Sequence, residues 1–479
     1  MMNLNKIIYS KCLARHIEIK GIEKGDSSME NKERLSWNER IAYCIGCVGL
    51  IITFFFISTY FLIFLTDTYG ITAMAGGMII TIARIWDAIN DPMIGVLADR
   101  SRSKWGVYRP WLVRFCIPIA FFTGLCFCAP DFDTTMKTVF IAVIYIIFGM
   151  LHTCANMPFG ILANVMTQDY AERGVLGAAR ELGSNFGQLI AQNVGAALLA
   201  VFCGSGAYTS IGYMKTAWIL GAFSIICLLW CAKNVKERVQ PTIEKISYKQ
   251  SMVALFKNKY ALIAGLVAFF FMTFLFFRLT WQSYYCIYYL ENPALIAPIL
   301  TAMNLPPIAI LFIAPKIIKK FGKRNTMILG GVIIVISGIV FMAAKNSVPM
   351  IFVASVIAGV GQSFPLTAVW AALPDAADWG EVKNGIRSPG IIFTYGTFMV
   401  KMGQAITAAF AGGILTLIGY DGLAATQTAE AINGLYMANW IMIIIPGILV
   451  IIAAIPYALS EAKYEEVRIK LAEKRANSN

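Results

Sequence analysis

Three ionisable residues inside an apolar stretch are the part of this chain best equipped for chemistry: Arg84, Asp87 and Asp91, in the run Arg84-Ile-Trp-Asp-Ala-Ile-Asn-Asp-Pro-Met-Ile-Gly95. On a helix, steps of three and four residues put all three on one face, with Ile85, Ile89 and Met93 off it. Within lipid an ionisable side chain is costly unless paired or hydrated, so it marks an ion or substrate path by default. One arginine cannot neutralise both carboxylates. Asp91 also precedes Pro92, which disfavours a regular helical backbone. Two carboxylates one turn apart raise each other's proton affinity and are suited to share a proton.

The elements that must position them follow from composition. Of 479 residues, 58% are hydrophobic and 14% charged, with a mean hydropathy of +0.67, which is too apolar for a solvated globule and specifies a polytopic membrane protein. Runs such as Ile51 to Leu65, Trp218 to Leu229 and Met442 to Ile455 approach, with their neutral flanks, the ~20 residues that cross a bilayer. The net charge of +13 sits in loops, where it reports topology and not nucleic-acid binding. The 11 cysteines lie mostly in apolar runs without metal or disulfide spacing and read as free thiols. Two histidines, His16 and His152, are too few for a histidine metal site, and no nucleophile, base and orienting group form an enzyme's constellation.

The predicted fold class is an all-α polytopic membrane protein with twelve transmembrane helices in two six-helix halves. The predicted spans are 42–66, 73–98, 110–128, 137–165, 179–203 and 213–232, then 260–289, 294–316, 326–345, 349–373, 391–418 and 434–459. The corresponding units are a disordered arm over 1–36, an N-terminal half over 37–232, a linker over 233–259, a C-terminal half over 260–459 and a tail over 460–479. Met29, followed directly by Glu-Asn-Lys-Glu-Arg-Leu-Ser-Trp and the first span, reads as the natural start. Basic residues fill one set of loops (Arg100 to Arg109, Lys233 to Lys257, Lys316 to Arg324) and nearly spare the other. Both termini and the linker are therefore expected in the cytoplasm of a bacterial inner-membrane protein, as a monomer in the lipid bilayer. Basic loops at matching places, Gly95-Val-Leu-Ala-Asp-Arg-Ser-Arg and Pro315-Lys-Ile-Ile-Lys-Lys-Phe-Gly-Lys-Arg, favour a duplicated fold with a central site.

Several spans carry polar faces. The fifth has Arg180, Glu181, Asn185, Gln188, Gln192 and Asn193, mostly at steps of three and four. The eleventh has Thr394, Thr397, Lys401 and Gln404, with Lys401 too deep to snorkel and expected to face a cavity. The fourth adds Tyr145, His152, Thr153 and Asn156, the last two residues before Pro158. The seventh adds Arg278, Trp281, Gln282 and Tyr285, and the tenth Gln362, Thr367 and Trp370. Aromatic faces beside amides and hydroxyls suit a sugar, whose C–H faces stack on rings while its hydroxyls hydrogen-bond. Arg180, Arg278 and Lys401 are alternatively suited to an anionic group on that substrate. After the tenth span, Asp375, Asp378 and Glu381 precede Lys383 and Arg387, a cluster able to act as a cytoplasmic gate between the halves.

Arg84-Ile-Trp-Asp-Ala-Ile-Asn-Asp-Pro followed by Asp99-Arg-Ser-Arg-Ser-Lys-Trp-Gly-Val-Tyr-Arg-Pro-Trp111 resembles the signature of the glycoside/pentoside/hexuronide:cation symporters, a melibiose permease-like branch of the major facilitator superfamily. Asn156-Met-Pro-Phe and Asp378-Trp-Gly-Glu-Val-Lys-Asn-Gly-Ile-Arg387 resemble two further motifs, and the likeness runs from about Leu35 to the tail. The resemblance implies a secondary transporter that takes a sugar or glycoside into the cell with a coupling cation, H+ or Na+, and no cofactor. It implies a cation site at Asp87 and Asp91 with Thr153 close by and Asn156 in place of a third carboxylate. It implies a cavity lined by Arg180 and Lys401, to which the polar faces add Gln188, Arg278, Trp281, Trp370 and Thr397 as substrate-binding candidates. Ile51 stands where the melibiose permease has a sugar-binding aspartate, and Gly160 where a tryptophan is expected. The last motif ends Arg387-Ser-Pro-Gly390, where many relatives have an acidic residue before the glycine; with Ile51 in place of an aspartate, the route is less negative, which leaves room for an anionic sugar derivative such as a sulfonated sugar. A membrane sugar sensor without transport is the other alternative.

Overall fold

The computed structural model describes residues 35–101, 103–167, 169–204, 208–238, 248–384, 389–424, 426–459 and 461–476. The arm with Met29, and Arg387 of the expected gate, lie outside the described residues.

Local chemistry starts the helices. Ser36 and Glu39 form a reciprocal capping box, and Thr72, Asp133, Thr209, Asn258 and Thr428 each accept a first-turn backbone N–H, satisfying donors that no carbonyl reaches. The first half comprises α1 (Trp37–Ile63, extended by a π turn over Phe64–Thr68), α2 (Ala73–Arg100), α3 (Arg109–Leu125), α4 (Thr134–Met166), α5 (Tyr170–Cys203) and α6 (Ser210–Asn234). A short α7 (Tyr248–Phe256) leads to the second half: α8 (Lys259–Tyr284, with a π turn over Tyr285–Tyr289), α9 (Ile296–Leu311), α10 (Ala314–Ala344), α11 (Val348–Gln362), α12 (Pro365–Asn384), α13 (Pro389–Leu417) and α14 (Ala429–Ala454). The tail helix α15 spans Glu461–Ala476. α10 turns at Gly322, whose φ of 76° suits glycine, and α11 and α12 together make one traverse broken at Ser363 and Phe364.

Among the described residues, ten helical segments are long and apolar enough to cross a membrane. The two traverses that fall outside that set are α2, which holds Arg84, Asp87 and Asp91, and α3, with 17 residues. Both pack inside the same bundle, α2 on α4 and α3 on α4 and α6, and complete twelve. The pairings of the first half, α1 with α5 and α6, α3 with α4 and α6, and α2 with α4, recur in the second as α8 with α13 and α14, α10 with α11 and α14, and α9 with α11. This is the duplication that the two basic loops foreshadow.

The halves meet along three seams: α1 with α8, α2 with α13, and α5 with α9. The end of the bundle joined by residues 234–259 is here called the linker face, and the other end the far face. Towards the far face, Thr280 and Ser283 donate to the carbonyls of Ser58 and Thr59, and Thr81 donates to that of Ala405. Asn304 bonds Gln192 at 2.9 Å and Asn193 bonds Thr301 at 2.7 Å. At the second seam the backbones nearly touch: a Cβ on Gly77 would lie 2.6 Å from the Ala408 carbonyl oxygen, and one on Gly412 2.4 Å from that of Ala73. Linker-ward, the surfaces part: Arg180, Thr397 and Asn156 are half-exposed, and Glu181 and Thr394 exposed.

Candidate functional site

α2 turns its ionisable face inward. Arg84, Asp87 and Asp91 are 6%, 3% and 8% exposed, whereas Ile85, Ile89 and Met93 are 40%, 53% and 56% exposed, the division that helical spacing predicts. Asp91 lies nine residues before the helix end at Arg100, about 14 Å by helical rise.

Each charge has found an opposite one, Arg84 and Asp87 within α2 and Asp91 from α13. Arg84 Nη1 donates to Asp87 Oδ2 at 3.0 Å and Nη2 to the Tyr145 hydroxyl on α4 at 2.7 Å. Its guanidinium also lies 4.6 Å from the centroid of the Phe54 ring on α1, a cation–π contact. Lys401 reaches across from α13 and places its Nζ 2.6 Å from both carboxylate oxygens of Asp91. Thr153 adds a hydroxyl bond to Asp91 Oδ1 at 3.2 Å. Asp87 Oδ1, in contrast, is buried with no hydrogen-bond partner among the described residues. It faces Gly149 of α4, where a Cβ would sit 2.6 Å from it. Such an oxygen bears a desolvation cost that a proton or cation would relieve.

Arg84 and Lys401 thus neutralise the two aspartates, one from each half. Lys401, expected to face the cavity, is bound to Asp91 across the seam. Gly149 went unnoticed in the sequence although Tyr145, Gly149 and Thr153 follow one another at steps of four, the signal of a common helix face. Phe54 carries no such signal.

The remaining candidates separate into two groups. Arg180, Thr397, Trp370 and Asn156 lie on the half-exposed surfaces that part towards the linker face. Gly160 explains how Arg180 fits: a Cβ there would be 3.3 Å from Arg180 Nη1, so the guanidinium occupies room that a larger side chain would fill. Tyr43 and Phe159 stack beside it at 4.5 Å, and Trp370 packs on Phe393 at 5.0 Å. Gln188 is buried with its Nε2 unpartnered among the described residues, one position from Gly187, which packs on Ile51.

Arg278 and Trp281 are placed elsewhere, and the expectation that they line the cavity is corrected. Both are fully buried inside the second half. Arg278 bonds Asn439 Oδ1 at 2.6 Å and Gln282 Oε1 at 2.7 Å beneath the Phe341 ring, and the Trp281 indole N–H donates to the Leu435 carbonyl. These bonds all lie within the second half, and Arg278 Nε is left buried without a partner among the described residues. Gln192, Asn193 and Gln362 likewise serve packing at the far-face seam. At the linker face, Asp375 pairs with Lys323 and Asp378 accepts from the Tyr464 hydroxyl of α15 at 3.0 Å. These partners belong to the same half, so the contacts fasten α10, α12 and the tail to one another.

Known proteins resemble this chain over nearly its whole length. The family model described as "MFS/sugar transport protein" matches residues 42–461. The "Isoprimeverose transporter" of Lactiplantibacillus pentosus is 30% identical over 88% of this chain and 88% of its own. The "Putative sulfoquinovose importer" of Salmonella typhimurium is 30% identical over 93% and 95%, and the "Glucuronide carrier protein homolog" of Escherichia coli 27% over 92% and 96%. In fold, a single-site mutant of the nucleoside transporter NupG superposes with a TM-score of 0.64 at 12% identity, covering 88% of this chain and 100% of its own. A bacterial homolog of the lysosomal transporter Spinster, titled as inward-facing and unoccupied, gives 0.62 at 16% identity over 92% and 99%. With its paired α2 carboxylates, its duplicated six-helix halves and these relatives, the chain belongs to the MFS sugar transporters, in the glycoside/pentoside/hexuronide symporter family.

Proposed function

We propose that the protein couples entry of a cation to entry of a sugar or glycoside by alternating access, with the linker face in the cytoplasm. The single observation that carries this reading is the buried pair Asp87 and Asp91, one with an unpartnered oxygen and the other tied to Lys401 of the opposite half. A proton or sodium ion arriving at these carboxylates competes with Lys401 and Arg84 for the same oxygens. Occupancy of the cation site thereby changes the bond that joins α2 to α13, and so the balance between the two states of the seams. Substrate would bind linker-ward of this pair, among Arg180, Gln188, Asn156, Trp370 and Thr397.

The geometry favours an anionic sugar within that class. Arg278 is spent in packing and Lys401 on Asp91, whereas the Arg180 guanidinium has no hydrogen-bonded or ion-paired partner among the described residues, and Gly160 gives it room. Relatives whose names carry sulfoquinovose and glucuronide support this choice, and the name isoprimeverose supports the broader reading.

The test is uptake into membrane vesicles under an imposed proton or sodium gradient. Asp87→Asn and Asp91→Asn are each expected to abolish concentrative uptake while leaving exchange or downhill flow. Unimpaired concentrative uptake by both variants would refute the assignment. Competition by uronides and sulfonated sugars against neutral glycosides identifies the substrate class, and absence of uptake of any of them favours the sensor alternative.

A further inference from the structure

The far end of α1 holds a carboxylate that the cation and sugar sites do not use. Asp67 lies in the π turn that follows α1, and all of its hydrogen bonds come from hydroxyl groups: Thr66 Oγ1 to Oδ1 at 2.6 Å, Tyr420 to Oδ1 at 2.6 Å and Tyr288 to Oδ2 at 2.6 Å. No basic side chain pairs with it among the described residues. The neighbouring Thr66 hydroxyl is 2.9 Å from that of Tyr284. The three tyrosines form one group, with Tyr420 edge-on to Tyr284 and to Tyr288, each at 5.3 Å.

Thr66 and Asp67 belong to the first half, whereas Tyr284, Tyr288 and Tyr420 belong to the second. The carboxylate is therefore solvated by the opposite half, through bonds whose length is that of charge-assisted O–H···O contacts. Close approach is built in from that half as well. A Cβ on Gly422 would lie 2.5 Å from the Thr66 carbonyl oxygen and 3.0 Å from Asp67 Oδ1, so the loop after α13 reaches Asp67 only because residue 422 is glycine. Behind this cluster, towards Arg84, is a cavity of about 30 Å³ bordered by Ser58, Thr280, Tyr145 and Thr407, room for about one water molecule.

We propose that Asp67 is a gating residue of the transport cycle: its carboxylate, captured by Tyr288 and Tyr420, latches the far face shut. The proposal rests on the alternating-access reading given above. The bonds exist only when the halves meet at this face, so they favour the closed state over the open one, in which Asp67 would be hydrated by water. The cavity behind the latch is then the closed end of the far-face route.

The test places a reporter behind the latch and reads access to it without sugar or coupling gradient, so its outcome is separate from that of the uptake experiment. Ser58→Cys is introduced in the full chain and labelled with a membrane-impermeant maleimide on intact cells, with the signal of the same chain lacking Ser58→Cys subtracted. Adding Asp67→Ala, or Tyr288→Phe with Tyr420→Phe, is expected to raise the labelling rate about tenfold, the change set by losing hydrogen bonds to a charged group. The double Phe variant keeps both rings in place, and it carries the test if Asp67→Ala expresses poorly. Unchanged labelling in a variant that is inserted and monodisperse, even with a lowered melting temperature, assigns these bonds to fold stability and overturns the gate.

Discussion

Lys401 changes what the two aspartates mean. With Arg84 alone the α2 face carries a surplus negative charge; with Lys401 2.6 Å from both oxygens of Asp91 the four groups balance. The balance is shared between halves that separate and rejoin in the proposed cycle. The pair is largely buried, its side chains 18% and 11% exposed, so removing one partner is costly. Lys401→Met is expected to destabilise the protein by about 3 kcal/mol at neutral pH, at the low end for a broken buried pair. Adding Asp91→Asn should recover most of that loss. Thermal unfolding in detergent measures both, and additive losses would show that the interaction is not an ion pair. At this scale the α2 face was legible because steps of three and four are a local property of a helix. The partner of Asp91 was not, since the two residues are 310 positions apart and nothing in either segment records the other. Arg278 and Trp281 were misplaced for a related reason: a polar helix face turned towards a cavity and one turned towards a helix of its own half have the same spacing.

Among the elements, α2 and α13 carry most of the proposed mechanism, because they hold both the ion pair between the halves and a close backbone approach. Gly77 and Gly412 let the backbones touch on the far side of the pair. A β-branched side chain at 412 would meet the Ala73 carbonyl, 2.4 Å from its Cβ, and hold this seam apart. Gly412→Val is therefore expected to slow transport severalfold without loss of expression. It should also reduce labelling of a Thr397→Cys reporter from the linker face, since a seam wedged at one end closes the other. Unaltered labelling with lost transport would point to a local defect instead. The α5 stripe shows how one polar face serves different purposes: Arg180 lies on the half-exposed surface, Gln188 is buried beside α1, and Gln192 and Asn193 tie α5 to α9. Helix number and approximate bounds were legible from hydropathy and from the Gly, Pro, Asn and charge clusters between apolar runs. The division of labour along α5 was not, because it depends on which helix lies opposite.

The whole molecule is a duplicated bundle whose halves touch towards the far face, and the proposed alternating access is a rocking about that contact. Spin labels at Asn164 on the linker end of α4 and Lys383 on the linker end of α12, both exposed, report the gap directly. Addition of substrate with the coupling cation is expected to add a shorter distance population by double electron–electron resonance, while either alone shifts it less. A distribution that no ligand combination moves would argue against rocking of the halves. The amino-acid sequence by itself determined the solvent of this protein, its twelve helices, the inward face of α2 and the family, because hydropathy, helical period and contiguous motifs are properties of short segments. Only the tertiary structure decided that Lys401 answers Asp91, that Gly160 admits Arg180, that Arg278 is packing, and that Asp67 is held by tyrosines of the other half. Those facts are contacts between segments far apart in the chain, and their energies exist only once the helices have chosen their neighbours.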